Sequence, residues 1–129
     1  ENVMNKEVIN TKNAPAAVGP YSQGIKANGM VFTSGQLPIN PATGNIDENN
    51  IEWQTHQAIK NLEAVLKEGG SDLTKVVKTT VFLSDLANFG KVNEIYATYF
   101  KSEAPARSCF QVAKLPKDAL IEIEAIAIC

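Results

Sequence analysis

The chain has a single histidine, His56, and only two cysteines, Cys109 and Cys129, among 129 residues. One imidazole is too few for a zinc site or a histidine-based triad. Two cysteines, one in an expected strand and one at the terminus, make neither a disulfide framework nor a metal-ligand spacing, so no metal is expected. No apolar run reaches the length a transmembrane helix needs, and the opening Glu1-Asn2-Val3-Met4-Asn5-Lys6 has no hydrophobic signal core. There is no excess of basic charge either. Twelve Lys and Arg against 14 Asp and Glu leave a formal net charge of -2, and the basic residues are scattered, so neither nucleic acid nor a membrane is expected as a partner. A cytoplasmic chain is expected, or a mitochondrial one if a transit peptide has been removed. The residues before Met4 read as an expression remnant or a product of processing, and residues 1–6 are expected to lie outside the ordered part of one globular domain spanning 1–129.

What is present is concentrated near the end. Pro105-Ala106-Arg107-Ser108-Cys109-Phe110-Gln111-Val112-Ala113 and Ile121-Glu122-Ile123-Glu124-Ala125-Ile126-Ala127 read as adjacent strands of one sheet, separated by a Leu-Pro-Lys-Asp turn. Strand alternation puts Arg107, Cys109 and Gln111 on one face and Ser108 and Phe110 on the other. In the second strand Ile121, Ile123, Ala125 and Ala127 form an apolar face, opposite one where Glu122 and Glu124 sit between large aliphatics. A guanidinium can grip a carboxylate with two parallel bonds, and a half-buried Glu can exchange protons, so these strands suit a small charged ligand. An exposed face carrying ion pairs would have the same pattern.

Upstream, residues 7–10 read as a short edge strand. The prolines and glycine of Asn13-Ala14-Pro15-Ala16-Ala17-Val18-Gly19-Pro20-Tyr21 specify an irregular loop that holds Tyr21 in a constrained place, at a pocket or packed on the core. Asn28-Gly29 between two short strands is a hairpin turn. The hairpin leads into Ser34-Gly35-Gln36, where Gly35 could offer its N–H to a ligand or mark a bulge. Asn49-x-x-Glu52 reads as the capping box of a helix that carries Ala58, Leu62, Val65 and Leu66 and stops at Gly69-Gly70. In the strand 76–84, Val77, Thr79, Val81 and Leu83 are expected on one side, and Lys78 on the other is a candidate partner for Glu122 or Glu124. Asp85 is expected to cap a second helix with an aromatic stripe of Phe89, Val92, Tyr96, Tyr99 and Phe100, beside which Asn93 could reach a neighbouring surface. The expected fold is therefore α+β, a mixed sheet with both helices on one face. Its other face, too apolar for water and too charged for a core, is of the kind that meets another subunit.

From Asn13 to Gly24, and again at Ser34-Gly35-Gln36, Val77-Lys78-Thr79-Thr80-Val81-Phe82, Val92-Asn93, Pro105 to Cys109, Leu115-Pro116-Lys117-Asp118 and Ile121 to Glu124, the chain resembles the YjgF/YER057c/UK114 family, the reactive intermediate deaminases (RidA). Several motifs in one order over nearly the whole chain carry the resemblance. It implies a chorismate-mutase-like fold, a homotrimer with ligand sites in clefts between subunits, and hydrolysis of 2-iminobutanoate and 2-iminopropanoate, reactive products of pyridoxal-phosphate dehydratases, to 2-oxo acids and ammonia.

The resemblance further implies that Arg107 holds the substrate carboxylate, assisted by the N–H of Gly35. Glu122 would orient or deprotonate the attacking water, and the backbone carbonyl of Cys109 would hold the imino nitrogen. Tyr21 would close the cleft, with Ser34 and Asn93 contributing polar contacts. No cofactor is implied, since an iminium carbon is already electrophilic. An adjacent cation would lower the Cys109 pKa, but with no histidine partner its sulfur is not expected to be a nucleophile. The competing readings are a regulatory protein that binds small carboxylates such as 2-oxo acids without turnover, and an endoribonuclease or translation inhibitor, against which the acidic balance argues.

Overall fold

The computed structural model describes residues 5–129, and the expectation for residues 1–4 lies outside the described residues. Lys6, expected to be outside the ordered part, instead opens β1 (Lys6–Ile9). The hairpin of β2 (Gly24–Ala27) and β3 (Met30–Thr33) turns at Asn28 and Gly29, whose φ values of 54° and 76° place both in the left-handed region. That is the turn whose twist matches paired strands, and Asn-Gly tolerates it best. There follow α1 (Ile51–Glu68), β4 (Val76–Leu83), α2 (Phe89–Tyr99), β5 (Ala106–Gln111) and β6 (Ile121–Ile128).

All six strands form one sheet in the order β1-β2-β3-β6-β4-β5. Every pairing is antiparallel except the parallel β4 and β5. The expectation that β5 and β6 are neighbours is wrong, because β4 lies between them. A parallel neighbour requires a long crossover, which α2 supplies from β4 to β5. The other edge of β4 is thereby left for β6.

Both helices cover one face, as the sequence pattern implies. Ala58, Ile59, Leu62, Val65 and Leu66 of α1 are fully buried with Val31, Val81, Ile121 and Ile123 of the sheet. The cap of α1 is one residue later than expected. Asn50, not Asn49, is extended (φ -143°) and its side chain accepts from the Trp53 N–H at 2.8 Å. A reciprocal capping box would need Glu or Gln where Trp53 stands, so Glu52 contributes only its charge to the first turn.

The expected alternation in β4 also breaks at its start. Val76 pairs with Ala127 and Lys78 with Ile126, so Val77 is a bulge residue, 41% exposed while Val76 is buried. This register sets Glu124 opposite Thr80 and Glu122 opposite Phe82. Lys78 therefore does not pair with either carboxylate; its ammonium donates to Ser108 Oγ at 3.1 Å. On the uncovered face Phe82 and Phe110 stack with centroids 5.5 Å apart, and Phe110 and Ile128 remain about half exposed.

One buried polar side chain ties this frame to the loop after β3. Asn61 of α1 donates to the carbonyls of Leu37 and Ile39 at 2.9 and 2.8 Å. Asn61→Ala strands both acceptors, and thermal or urea unfolding is expected to report a loss of about 1–3 kcal/mol.

Candidate active site

The loop 11–21 has no regular structure, and a side chain supplies its hydrogen bonds. Gln23, buried at 2% exposure, accepts from the Thr11 N–H at 2.7 Å and donates to the carbonyls of Thr11 at 3.0 Å and Pro15 at 2.8 Å. The loop end is fixed in turn by Ser34, whose hydroxyl donates to the Ser22 carbonyl at 2.5 Å. Tyr21 is thus delivered to the rim of a cleft of about 460 Å³ whose lining includes Val18, Ser34, Gly35, Leu37, Lys117 and Glu122.

Past Ser34 the chain runs beside β6. Gln36 donates to the Ile123 carbonyl at 2.7 Å, and Ile123 donates back to Gln36 at 3.1 Å. This pairing lays Gly35 directly on the Glu122 side chain: a Cβ at Gly35 would stand 2.5 Å from Glu122 Oε2. A larger residue there would have to push the Glu122 side chain aside, so glycine is what lets the carboxylate rest in this position. Among the described residues the Gly35 N–H has no protein acceptor, and the Glu122 carboxylate has no hydrogen-bonding or ionic partner. Burial, reinforced by the neighbouring charge of Glu124, raises the Glu122 pKa above the usual carboxylate value.

Arg107 belongs to a different place. In the ladder it lies beside Thr79, a fully buried residue on the helix-covered face. Its Nη1 donates to Asn93 Oδ1 at 2.8 Å. Its guanidinium carbon stands 4.8 Å from the ring centre of Tyr96 and 5.4 Å from that of Phe89. Cys109 follows two residues on, and burial raises its thiol pKa despite the opposing effect of Arg107. The expectation that the adjacent cation would lower it is corrected: desolvation outweighs the charge, which leaves a poor nucleophile.

The structure therefore brings together Tyr21, Ser34, Gly35 and Glu122, and separately Arg107, Asn93 and Cys109. Within one chain these two groups face opposite sides of the sheet. Ser34 has its hydroxyl committed to the backbone, and Asn93 has its carbonyl oxygen committed to Arg107. Sequence reasoning missed Gln23, a buried polar residue recognisable only once its loop is seen to lack backbone partners. It also missed Lys117, carried to the cleft by two consecutive left-handed residues, Lys117 (φ 58°) and Asp118 (φ 55°). Nothing in a Leu-Pro-Lys-Asp string announces that geometry.

Because its folded-state pKa is raised, the charged form of Glu122 costs stability above that pKa, and the cost disappears as pH falls through it towards the unfolded value. For the single chain, not associated with other copies, Glu122→Gln is expected to melt at or above the wild-type temperature at pH 7. The advantage should shrink to nothing in acid, as read by thermal unfolding of both proteins across the carboxylate range.

The family model described as Endoribonuclease L-PSP matches residues 11–129. Reactive Intermediate Deaminase A, chloroplastic, of Arabidopsis thaliana is 56% identical over 124 residues, 96% of this chain and 66% of the relative; the chain thus spans just under two thirds of that protein. The 2-iminobutanoate/2-iminopropanoate deaminase of Rattus norvegicus is 49% identical over 123 residues, 95% of this chain and 90% of the relative. A crystal structure of a Rid family protein of unknown function, YyfA from Yersinia pestis, superposes with a TM-score of 0.94 at 55% identity, covering 97% of this chain and 100% of that one. With the family model spanning residues 11–129 and these relatives aligned along nearly all of the chain, the chain belongs to the YjgF/RidA family.

Proposed function

We propose that the chain hydrolyses 2-imino acids such as 2-iminobutanoate and 2-iminopropanoate to 2-oxo acids and ammonia, in a site completed between copies of a homotrimer. The observation that carries the reading is the division of the site. A carboxylate without partners lies on a glycine whose N–H is unused, in a cleft with a hydrophobic wall. A guanidinium that could anchor a carboxylate lies on the other side of the sheet. The uncovered face with Phe82, Phe110 and Ile128 supports association, and because β5 is an edge strand its Arg107 could reach across that edge to the Glu122 of the next copy.

In such a site Arg107 and the Gly35 N–H hold the substrate carboxylate, and Tyr21 covers it. Glu122, made more basic by burial, takes a proton from water as the oxygen adds to the iminium carbon, forming a tetrahedral carbinolamine. The same carboxyl returns that proton to nitrogen and then, as the C–N bond breaks, takes the hydroxyl proton while the C=O bond forms, so that the 2-oxo acid and ammonia leave and the remaining proton departs with the nitrogen as ammonium. Water supplies the oxygen, and no electron is gained or lost. The free thiols of Cys109 and Cys129 are in keeping with a reducing, cytosolic compartment.

The description of the family model also raises RNA cleavage. Against it stand the net charge of -2 and the engagement of the one histidine, His56, with Tyr99 at 2.7 Å, outside the cleft.

The test generates 2-iminobutanoate in place with threonine dehydratase and follows its loss by semicarbazide trapping. The wild type is expected to accelerate the loss, whereas Arg107→Ala and Glu122→Gln, both folded, fall at least about 100-fold, in the range of removing an acid-base group. Gly35→Ala should fall with them, because its methyl group displaces the carboxylate. No acceleration by the wild type would leave carboxylate capture without turnover as the better reading.

A further inference from the structure

Phe89, Asn93 and Tyr96 recur at i, i+4 and i+7 along α2, and all three meet Arg107. A stripe with this spacing normally serves a core, yet here it surrounds a cation. Tyr96 is 7% exposed, and its hydroxyl pairs at 2.8 Å with that of Thr79, a residue with no exposure. Thr79 is in turn the ladder neighbour of Arg107 itself. The Phe100 ring also packs against Tyr96, tilted by 34° with centroids 4.5 Å apart.

We propose that Tyr96, pinned by Thr79, is a positioning residue for the carboxylate anchor. The hydroxyl pair fixes the phenol ring as a platform under the guanidinium, and Asn93 fixes its rotation. The argument rests on chemistry as well as proximity. A ring attracts the guanidinium through its face, whereas a carboxylate is gripped through N–H groups in its plane. Tyr96 can therefore hold Arg107 without consuming any donor, and Asn93 consumes one of the five. The remaining donors have no partner among the described residues, and holding the guanidinium before a ligand arrives avoids the ordering cost a free arginine side chain would bring to binding. A buried phenol with no role beyond packing would be served equally by Phe. What requires the hydroxyl is the bond to Thr79, and it joins the platform to the strand position next to Arg107.

The inference rests on the reading of Arg107 as carboxylate anchor, and it is tested by two readouts that separate the two claims. Steady-state hydrolysis of 2-iminobutanoate and calorimetric binding of 2-oxobutanoate are measured for wild type, Tyr96→Phe, Thr79→Val and Thr79→Ser. Tyr96→Phe and Thr79→Val are each expected to raise KM and the 2-oxobutanoate Kd by about five- to tenfold, the scale of one buried hydrogen bond, with kcat within about twofold of wild type. The double variant should lose no more than either single one, and Thr79→Ser, which keeps the hydroxyl, should behave as wild type. A structural role alone would lower the melting temperature and leave KM and Kd of the folded protein unchanged, and that result overturns the proposal. If the wild type binds 2-oxobutanoate without turning over imine, the hydrolase reading fails while the Kd series still decides the role of Tyr96. If it does neither, both fall.

Discussion

A sheet is opaque to its own side chains, and this constraint governs everything about the site. Arg107 and Glu122 both lie on strands near β4, but successive residues of a strand point to opposite faces. The register places Arg107 beside Thr79 under α2 and Glu122 beside Phe82 on the uncovered side. No rotamer carries a guanidinium through a hydrogen-bonded ladder to a carboxylate behind it. One chain therefore holds two separate groups of polar residues, and the proposed function makes each of them half of a site.

The cost of this arrangement is visible in both halves. Glu122 is partly withdrawn from water with no cation beside it, and Glu124 adds repulsion, a local destabilisation of the kind that persists where a group has work to do. Phe110 and Ile128 stay half exposed because nothing among the described residues covers that face. Arg107 is the opposite case. An amide oxygen and two aromatic rings hold it, so the anchor is rigid while the carboxylate cleft is defined by loops. Two loops line that cleft, and each is held by one buried side chain, the loop 11–21 by Gln23 and the loop after β3 by Asn61. In both places one amide replaces the backbone ladder that an irregular segment cannot form.

Much of the fold was legible from strictly local chemistry. Asn28-Gly29 specified its turn, Gly69-Gly70 ended α1, and the alternation from Ile121 to Ala127 identified both faces of β6 correctly. The misreadings arose where a non-local choice decided. Adjacency in sequence suggested that β5 and β6 pair, but the parallel crossover through α2 inserts β4 between them. Lys78 stood on the expected face, yet the bulge at Val77 and the register gave it Ser108 instead of a carboxylate. The candidate site residues were named from motifs alone. Their distribution over two faces followed only from strand order, which periodicity does not encode. The stripe of α2 does pack in the core, but its spacing says only that a face is covered, and not that an arginine lies among what it touches.

The most direct test of a site divided between copies is complementation. Arg107→Ala and Glu122→Gln chains are unfolded together in equal amounts, refolded, and assayed for imine hydrolysis against each variant refolded alone. If each site takes its arginine from one copy and its carboxylate from the next, random assembly restores both native groups to about one site in four. The mixture should then recover about a quarter of wild-type activity, though neither parent has any. A mixture as inactive as its parents, with mixed assemblies demonstrably formed, would place both groups of a working site in one chain and contradict the account.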